Sequence, residues 1–246
     1  MSNILRVAAH LAAAYRVSDL AEPERRSRSL VRTGTGTYWW RDEEGGFWRA
    51  YRFIEGCHSI ELADAPAKAF SLGEAVGRFQ TRLAVTIPAF HDSRSRYAAF
   101  EAAVEGDRVG RVASAAKEIA WFRAHHEGLD CILAALESGE IPERISHNDA
   151  KMANLLLDDR SDEAICLVDL DTVMPGSQLY DFGDLVRTVT ASVEEDSDRP
   201  EANVLRRELF EALVRGYARG AAGLLTAAER RLLPEGGRVI TLIMGL

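Results

Sequence analysis

The chain has 246 residues, 47% hydrophobic and 28% charged, enough to bury a sizeable core in one large domain or one and a half. A formal net charge of −8 argues against a nucleic-acid partner, because surfaces that track phosphate backbones need clustered cations to release counterions. The three cysteines (Cys57, Cys131, Cys166) lie far apart with no Cys-x-x-Cys spacing, no apolar run nears the roughly 20 residues that span a bilayer, and Met1–Tyr15 lacks the basic start and cleavage site of a signal peptide, so a reducing cytoplasm without membrane attachment is expected.

In chain order, Ile4, Val7, Leu11 and Ala14 fall at helical spacing and predict a helix over 3–15, followed by a charged loop over 22–28. From Ser29 to Ile54, runs of β-formers are split by Gly34–Gly36 and by Asp42-Glu-Glu-Gly-Gly46, which predicts a small antiparallel hairpin sheet. Past Glu55-Gly56 the character changes, and Leu72, Val76, Phe79 and Leu83 mark one helix face that Ile87-Pro88 is expected to stop. A long helical stretch is expected over about Val112–Ser138. Two short apolar runs, Asn154–Leu157 and Ile165–Asp169, flank the polar turn Asp158–Glu163 and predict a second hairpin within an otherwise helical remainder. Leu205, Leu209, Leu213 and Tyr217 predict an amphipathic helix, and another is expected from near Gly237 onward. The expectation is an α+β chain of two unequal lobes, 1–54 and 55–246.

One constellation carries chemistry. In Ile145-Ser-His-Asn-Asp-Ala-Lys-Met-Ala-Asn154, His147, Asp149, Lys151 and Asn154 follow the order and spacing of a kinase catalytic loop, where the Asp faces the acceptor hydroxyl and the Asn, five residues on, turns to a metal. The second hairpin then delivers Val168-Asp169, where a kinase places a second metal-binding carboxylate. Phosphoryl transfer asks for positioning and charge neutralisation more than covalent chemistry, and Mg²⁺ keeps several waters, so Asn154 with Asp169 is a sufficient protein share. Asp149 is left as the catalytic base, Lys151 as a cation for the migrating phosphoryl group, and His147 as a brace for the loop. Taken singly, a His-x-Asp pair or an Asn before an apolar run is usually structural, and Lys151 alone reads equally well as a solvated side chain; the ordered set is what points to a kinase.

These residues resemble the aminoglycoside phosphotransferase and choline kinase superfamily. The segments Val168-Asp-Leu-Asp-Thr-Val-Met-Pro-Gly176 and Leu179-Tyr-Asp-Phe-Gly-Asp-Leu-Val-Arg187 resemble its N-acetylhexosamine 1-kinase branch, and the likeness extends through Trp48-Arg-Ala-Tyr-Arg-Phe-Ile-Glu-Gly56, Gly77-Arg-Phe-Gln80 and Thr86-Ile-Pro-Ala-Phe-His-Asp92. The resemblance implies a protein-kinase-like fold with ATP as co-substrate, Mg²⁺, and a small hydroxylated acceptor, an amino sugar. It implies the Phe53, Ile54, Glu55 backbone as the hinge beneath the adenine and places Asp171 and Thr172 facing the acceptor. Asp181 and Asp184 would hold the catalytic loop by its backbone.

Family members begin with a strand pair carrying a phosphate-covering loop and a strand Lys. Here the first Glu is Glu22 and the first Lys is Lys68, so the expected Lys–Glu pair has no candidate. A truncated or degenerate member with an incomplete small lobe is therefore expected, exposing a sheet edge and an apolar face that favour a homodimer. Two other classes compete: a non-catalytic kinase-like binding module, and a metal-dependent hydrolase using His147, Asp149, Asp169 and Asp171. The remaining signals are bland. Gly34-Thr-Gly-Thr37 reads as a turn, His125-His126 lack a partner at zinc spacing, and Ser71, Ser146 and Ser177 sit in no nucleophile elbow.

Overall fold

Apolar residues at helical spacing become buried helix faces, and helices supply most of the framework. The computed structural model describes residues 2–83, 93–126 and 128–245. Helix α1 (Ser2–Arg16) buries Ile4, Val7, Leu11 and Tyr15. Strands β1 (Trp40–Arg41) and β2 (Phe47–Trp48) form a two-residue antiparallel ladder in which Trp40 faces Trp48. Asp42 closes its turn, accepting from Gly46 N at 2.6 Å and from Trp48 Nε1 at 2.6 Å. A Leu30–Tyr51 bridge extends the pairing toward the chain's start. The hairpin predicted over 29–54 is present, shorter and more solvent-exposed than its β-forming composition suggests.

Helix α2 (Pro66–Arg82) opens on a proline, whose missing N–H costs nothing in a first turn, and buries Leu72, Val76 and Phe79. It ends at Arg82, with Leu83 buried just beyond; the Ile87-Pro88 stop and the 86–92 segment lie outside the described residues. Helix α3 (Ser93–Gly106) follows. The single helix expected over 112–138 is instead two, α4 (Ala116–His125) and α5 (Cys131–Glu137). Gly128, between them, adopts a left-handed φ of 89°, and a Cβ there would stand 3.1 Å from the Arg238 guanidinium, so the chain turns where a continuous helix cannot.

Strand β3 (Cys57–His58) pairs with β5 (Leu155–Asp158), which pairs with β6 (Ala164–Leu167), so the predicted second hairpin forms and gains a third strand. A further pair, β4 (Arg144–Ser146) with β7 (Met174–Gly176), was not anticipated. Helix α6 (Gln178–Val189) starts at Ser177, whose hydroxyl accepts from Leu179 N at 3.2 Å. Helix α7 (Arg207–Gly220) buries Leu209, Leu213 and Tyr217, while Leu205, expected on the same face, precedes the helix and is exposed. The last helix, α8 (Ala227–Gly245), begins ten residues before the expected Gly237 and runs through Pro234.

Helices α2 and α7 cross at small residues. A Cβ on Gly216 would lie 1.9 Å from Phe70 O, and one on Gly73 2.4 Å from Leu213 O, so the two backbones touch. The main core gathers α1, α2, α6, α7 and the β5–β6 hairpin around Leu72, Phe79, Leu155, Phe182, Leu213 and Tyr217.

Candidate active site

Two antiparallel pairs bracket the sequence constellation. Pairing β4 with β7 brings Ser146 opposite Met174, and pairing β5 with β6 brings Leu155 opposite Leu167. The loop 147–154 and the segment 168–173, each joining one pair to the other, must therefore run side by side. Val168 N donates to Asn154 O at 2.9 Å, and His147 Nε2 lies 2.8 Å from Val168 O. A carbonyl oxygen only accepts, so Nε2 carries the proton; Nδ1 is buried and meets no hydrogen-bond partner among the described residues. The His147 ring also meets Phe79 edge-on at 5.7 Å.

Within the loop, Asn154 Nδ2 donates to Asp149 O at 2.8 Å and to Asp149 Oδ2 at 2.9 Å. One amide thus spans the loop and fixes the Asp149 carboxylate. Lys151 Nζ stands 4.0 Å from Asp149 Oδ1, and both side chains are about a third exposed. Asn148 and Asp169 hold left-handed φ values of 63° and 62°, a region that Asn and Asp enter more readily than most residues and that concentrates at functional sites.

Beneath the loop lies Asp181, fully buried. Its carboxylate accepts from His147 N at 2.9 Å, Asn148 N at 2.7 Å and Gln80 Nε2 at 3.0 Å. Tyr217 OH donates in turn to Gln80 Oε1 at 2.6 Å, linking α7, α2 and α6 to the loop. The second half of the loop is held by Thr188, whose Oγ1 accepts from Met152 N at 3.0 Å and donates to Asp184 O at 2.8 Å. The resemblance put both aspartates on the loop backbone. The structure puts Asp181 there, whereas the Asp184 carboxylate meets Arg187 Nη2 at 3.4 Å. Burial pushes the Asp184 carboxyl up to about 7; Arg187 opposes the rise, and Asp181 and Asp149 add to it.

Asp171 and Thr172 lie in the 3₁₀ turn Leu170–Thr172 that follows Asp169, and Asp171 accepts from Arg49, 122 residues away in sequence. Phe53 is exposed and Ile54 buried. Glu55 O accepts from Arg25 Nη2 at 2.9 Å, and the same guanidinium reaches Gly56 O and Asp158, holding Asp158 well below the usual carboxylate range. A cavity of about 140 Å³ opens beside Lys151, lined by Arg187, Glu61, Glu194 and Glu195. A larger apolar one of about 480 Å³, between Trp121, Phe182 and Phe210, touches none of the loop residues.

Asn154 and Asp169 offer hard oxygen donors, and the Asn154 amide nitrogen is committed to Asp149, leaving its Oδ1 for other use. Among the described residues no group of three or more His, Cys, Asp or Glu could hold a metal, so a closed protein cage is absent. A two-residue share completed by water and phosphate suits Mg²⁺. Sequence reasoning missed Thr188, Arg49 and the Gln80–Tyr217 pair. Gln80 alone left a signal, a polar residue beside the apolar face of α2.

This α+β, protein-kinase-like fold and its loop define a small-molecule kinase of the aminoglycoside phosphotransferase type. A family profile described as "Phosphotransferase enzyme family" (APH) matches residues 3–224, and the chain belongs to that family. Among solved structures it is similar to a microcompartment-associated aminopropanol kinase, 21% identical over 100% of this chain and 73% of the other, with a TM-score of 0.64. It is similar also to an aminoglycoside phosphotransferase from Alicyclobacillus acidocaldarius, 14% identical over 97% and 69% with a TM-score of 0.61. A choline/ethanolamine kinase family protein from Mesorhizobium loti is 19% identical over 98% and 68%, with a TM-score of 0.54. At these identities the likeness is one of fold. No helix among the described residues is long and apolar enough to cross a membrane.

Proposed function

We propose that the protein transfers the γ-phosphoryl group of ATP to a hydroxyl of a small molecule, an amino sugar of the N-acetylhexosamine kind, in the cytoplasm. The observation that carries this reading is the Asn154 amide bonded to both the backbone and the carboxylate of Asp149, on a loop anchored from below by Asp181. Asp149 accepts the acceptor's hydroxyl proton as the oxygen–phosphorus bond forms and the bond from Pγ to the bridging oxygen breaks, releasing ADP. Lys151 supplies positive charge toward the migrating group, and His147 keeps the loop against Val168. Asn154 and Asp169 would hold Mg²⁺, which supplies charge neutralisation at the phosphates when bound. Asp171 and Thr172 face the acceptor, Phe53–Glu55 forms the adenine hinge, and Asp181, with Asp184, supports the loop.

The same reading divides the chain into a nucleotide-side lobe, 1–54, and a helical lobe, 55–246. It includes a homodimer through the exposed aromatic hairpin. The test is ADP release from Mg²⁺-ATP with a panel of hexosamines, amino alcohols and aminoglycosides. Acceptor-dependent release that Asp149→Asn reduces by about 10²–10⁴-fold, the usual weight of general-base catalysis, supports the reading. Release that is independent of any acceptor, or indifferent to the substitution, contradicts it.

A further inference from the structure

Arg49 follows β2 in the exposed hairpin, yet its guanidinium is engaged far away in sequence, donating from Nη2 to Asp171 Oδ2. Its Cζ lies 5.5 Å from the centre of the Tyr51 ring, and Arg28 approaches the same ring at 4.2 Å, so Tyr51 gives the arginine a wall to lie along. Burial disfavours the Arg49 charge, but the bond to Asp171 and the nearby carboxylates of Asp171 and Asp169 outweigh it and hold its pKa above the usual arginine value.

Magnitudes decide what the pair is for. With 27% and 43% of the two side chains exposed, it resembles surface ion pairs worth about 0–1 kcal/mol, too little to matter to the fold. Its placement is more informative, because it ties the hairpin to the turn that directly follows Asp169. The guanidinium takes one carboxylate oxygen, Oδ2, and restrains the side chain through it, while Oδ1 remains an acceptor for a further donor.

We propose that Arg49 is a positioning residue that orients Asp171 to receive a hydroxyl or amide N–H of the phosphoryl acceptor, coupling the hairpin to acceptor recognition. This rests on the reading that Asp171 meets the acceptor. A Lys at position 49 keeps the charge but not the directed N–H of the guanidinium, so the two substitutions are separable.

Steady-state kinetics of Arg49→Ala, Arg49→Lys, Asp171→Ala and the Arg49→Ala/Asp171→Ala double variant test this with an acceptor that the wild type turns over. Arg49→Ala should raise the acceptor KM about 3- to 5-fold, the upper end of what a pair of this exposure can transmit, with the ATP KM unchanged. Arg49→Lys should fall between, and the double variant should be no worse than Asp171→Ala alone. A rise in the ATP KM with the acceptor KM unchanged would make Arg49 a phosphate contact and overturn the proposal, as would additive effects.

If the wild type phosphorylates nothing, the proposed function fails while the coupling is still decided by amide hydrogen exchange over residues 40–51. Arg49→Ala and Asp171→Ala should then each speed exchange by a similar factor, up to about 5-fold for a pair of this exposure, with no further gain in the double variant. Unchanged exchange overturns the coupling.

Discussion

At Asp181 one fully buried carboxylate meets two loop N–H groups and the Gln80 amide. Asp181→Ala strands the two loop N–H groups, while Gln80 Nε2 keeps its bond to Gln178 O, and with each buried unsatisfied group costing about 1–3 kcal/mol, unfolding should become easier by about 2–4 kcal/mol. A denaturant midpoint unchanged from wild type would contradict that. Asp184 behaves differently. Its carboxyl titrates near 7 when folded, against about 3.9 unfolded, so the folded state binds the proton more tightly and stability falls as pH rises from about 4 to 7. Asp184→Asn removes this loss, so its stability relative to wild type should grow between pH 4.5 and pH 8, by on the order of 2–4 kcal/mol. Denaturant titrations at the two pH values read it directly, and a pH-independent difference would refute the assignment. The set from His147 to Asn154 was legible because its members lie within eight residues of one another and their spacing is itself the signal. Arg49 with Asp171, Gln80 with Asp181 and Tyr217 with Gln80 were not, because they are joined across 122, 101 and 137 residues by tertiary packing alone.

Among the elements, the periodic helices were legible through their buried faces, and the second hairpin through two apolar runs about a polar turn. The split between α4 and α5 was not, since only the left-handed Gly128 marks it and an isolated glycine is compatible with a helix. Pairing of β4 with β7 also left no local mark, because strands of three residues carry too little alternation to be read. The α2–α7 crossing yields a prediction of its own. Gly216→Ala places a methyl 1.9 Å from Phe70 O on a backbone that cannot swing aside, and should destabilise by at least about 2 kcal/mol through forced separation of the helices. Gly34→Ala meets nothing within 4 Å and should stay within about 0.5 kcal/mol of wild type. Thermal melts of the two variants compare them, and equal midpoints would show that the crossing is looser than its geometry.

On the scale of the whole molecule, the hairpin exposes Trp40, Phe47 and Trp48 at 57%, 63% and 61%, a concentration of aromatic surface that favours association. Sedimentation should show concentration-dependent self-association that Phe47→Glu weakens, and a strictly monomeric wild type would remove the dimer from the proposal. Helix α6 meanwhile holds the loop directly, and α2 and α7 brace it through Gln80, which is the preorganisation that phosphoryl transfer requires. The most direct measurement is ³¹P NMR of Mg²⁺-ATP incubated with the protein and an N-acetylhexosamine. The account predicts a growing phosphomonoester resonance matched by ADP, absent with Asp149→Asn at equal folded concentration. Inorganic phosphate in place of the ester, or an ester formed equally well by Asp149→Asn, would contradict it.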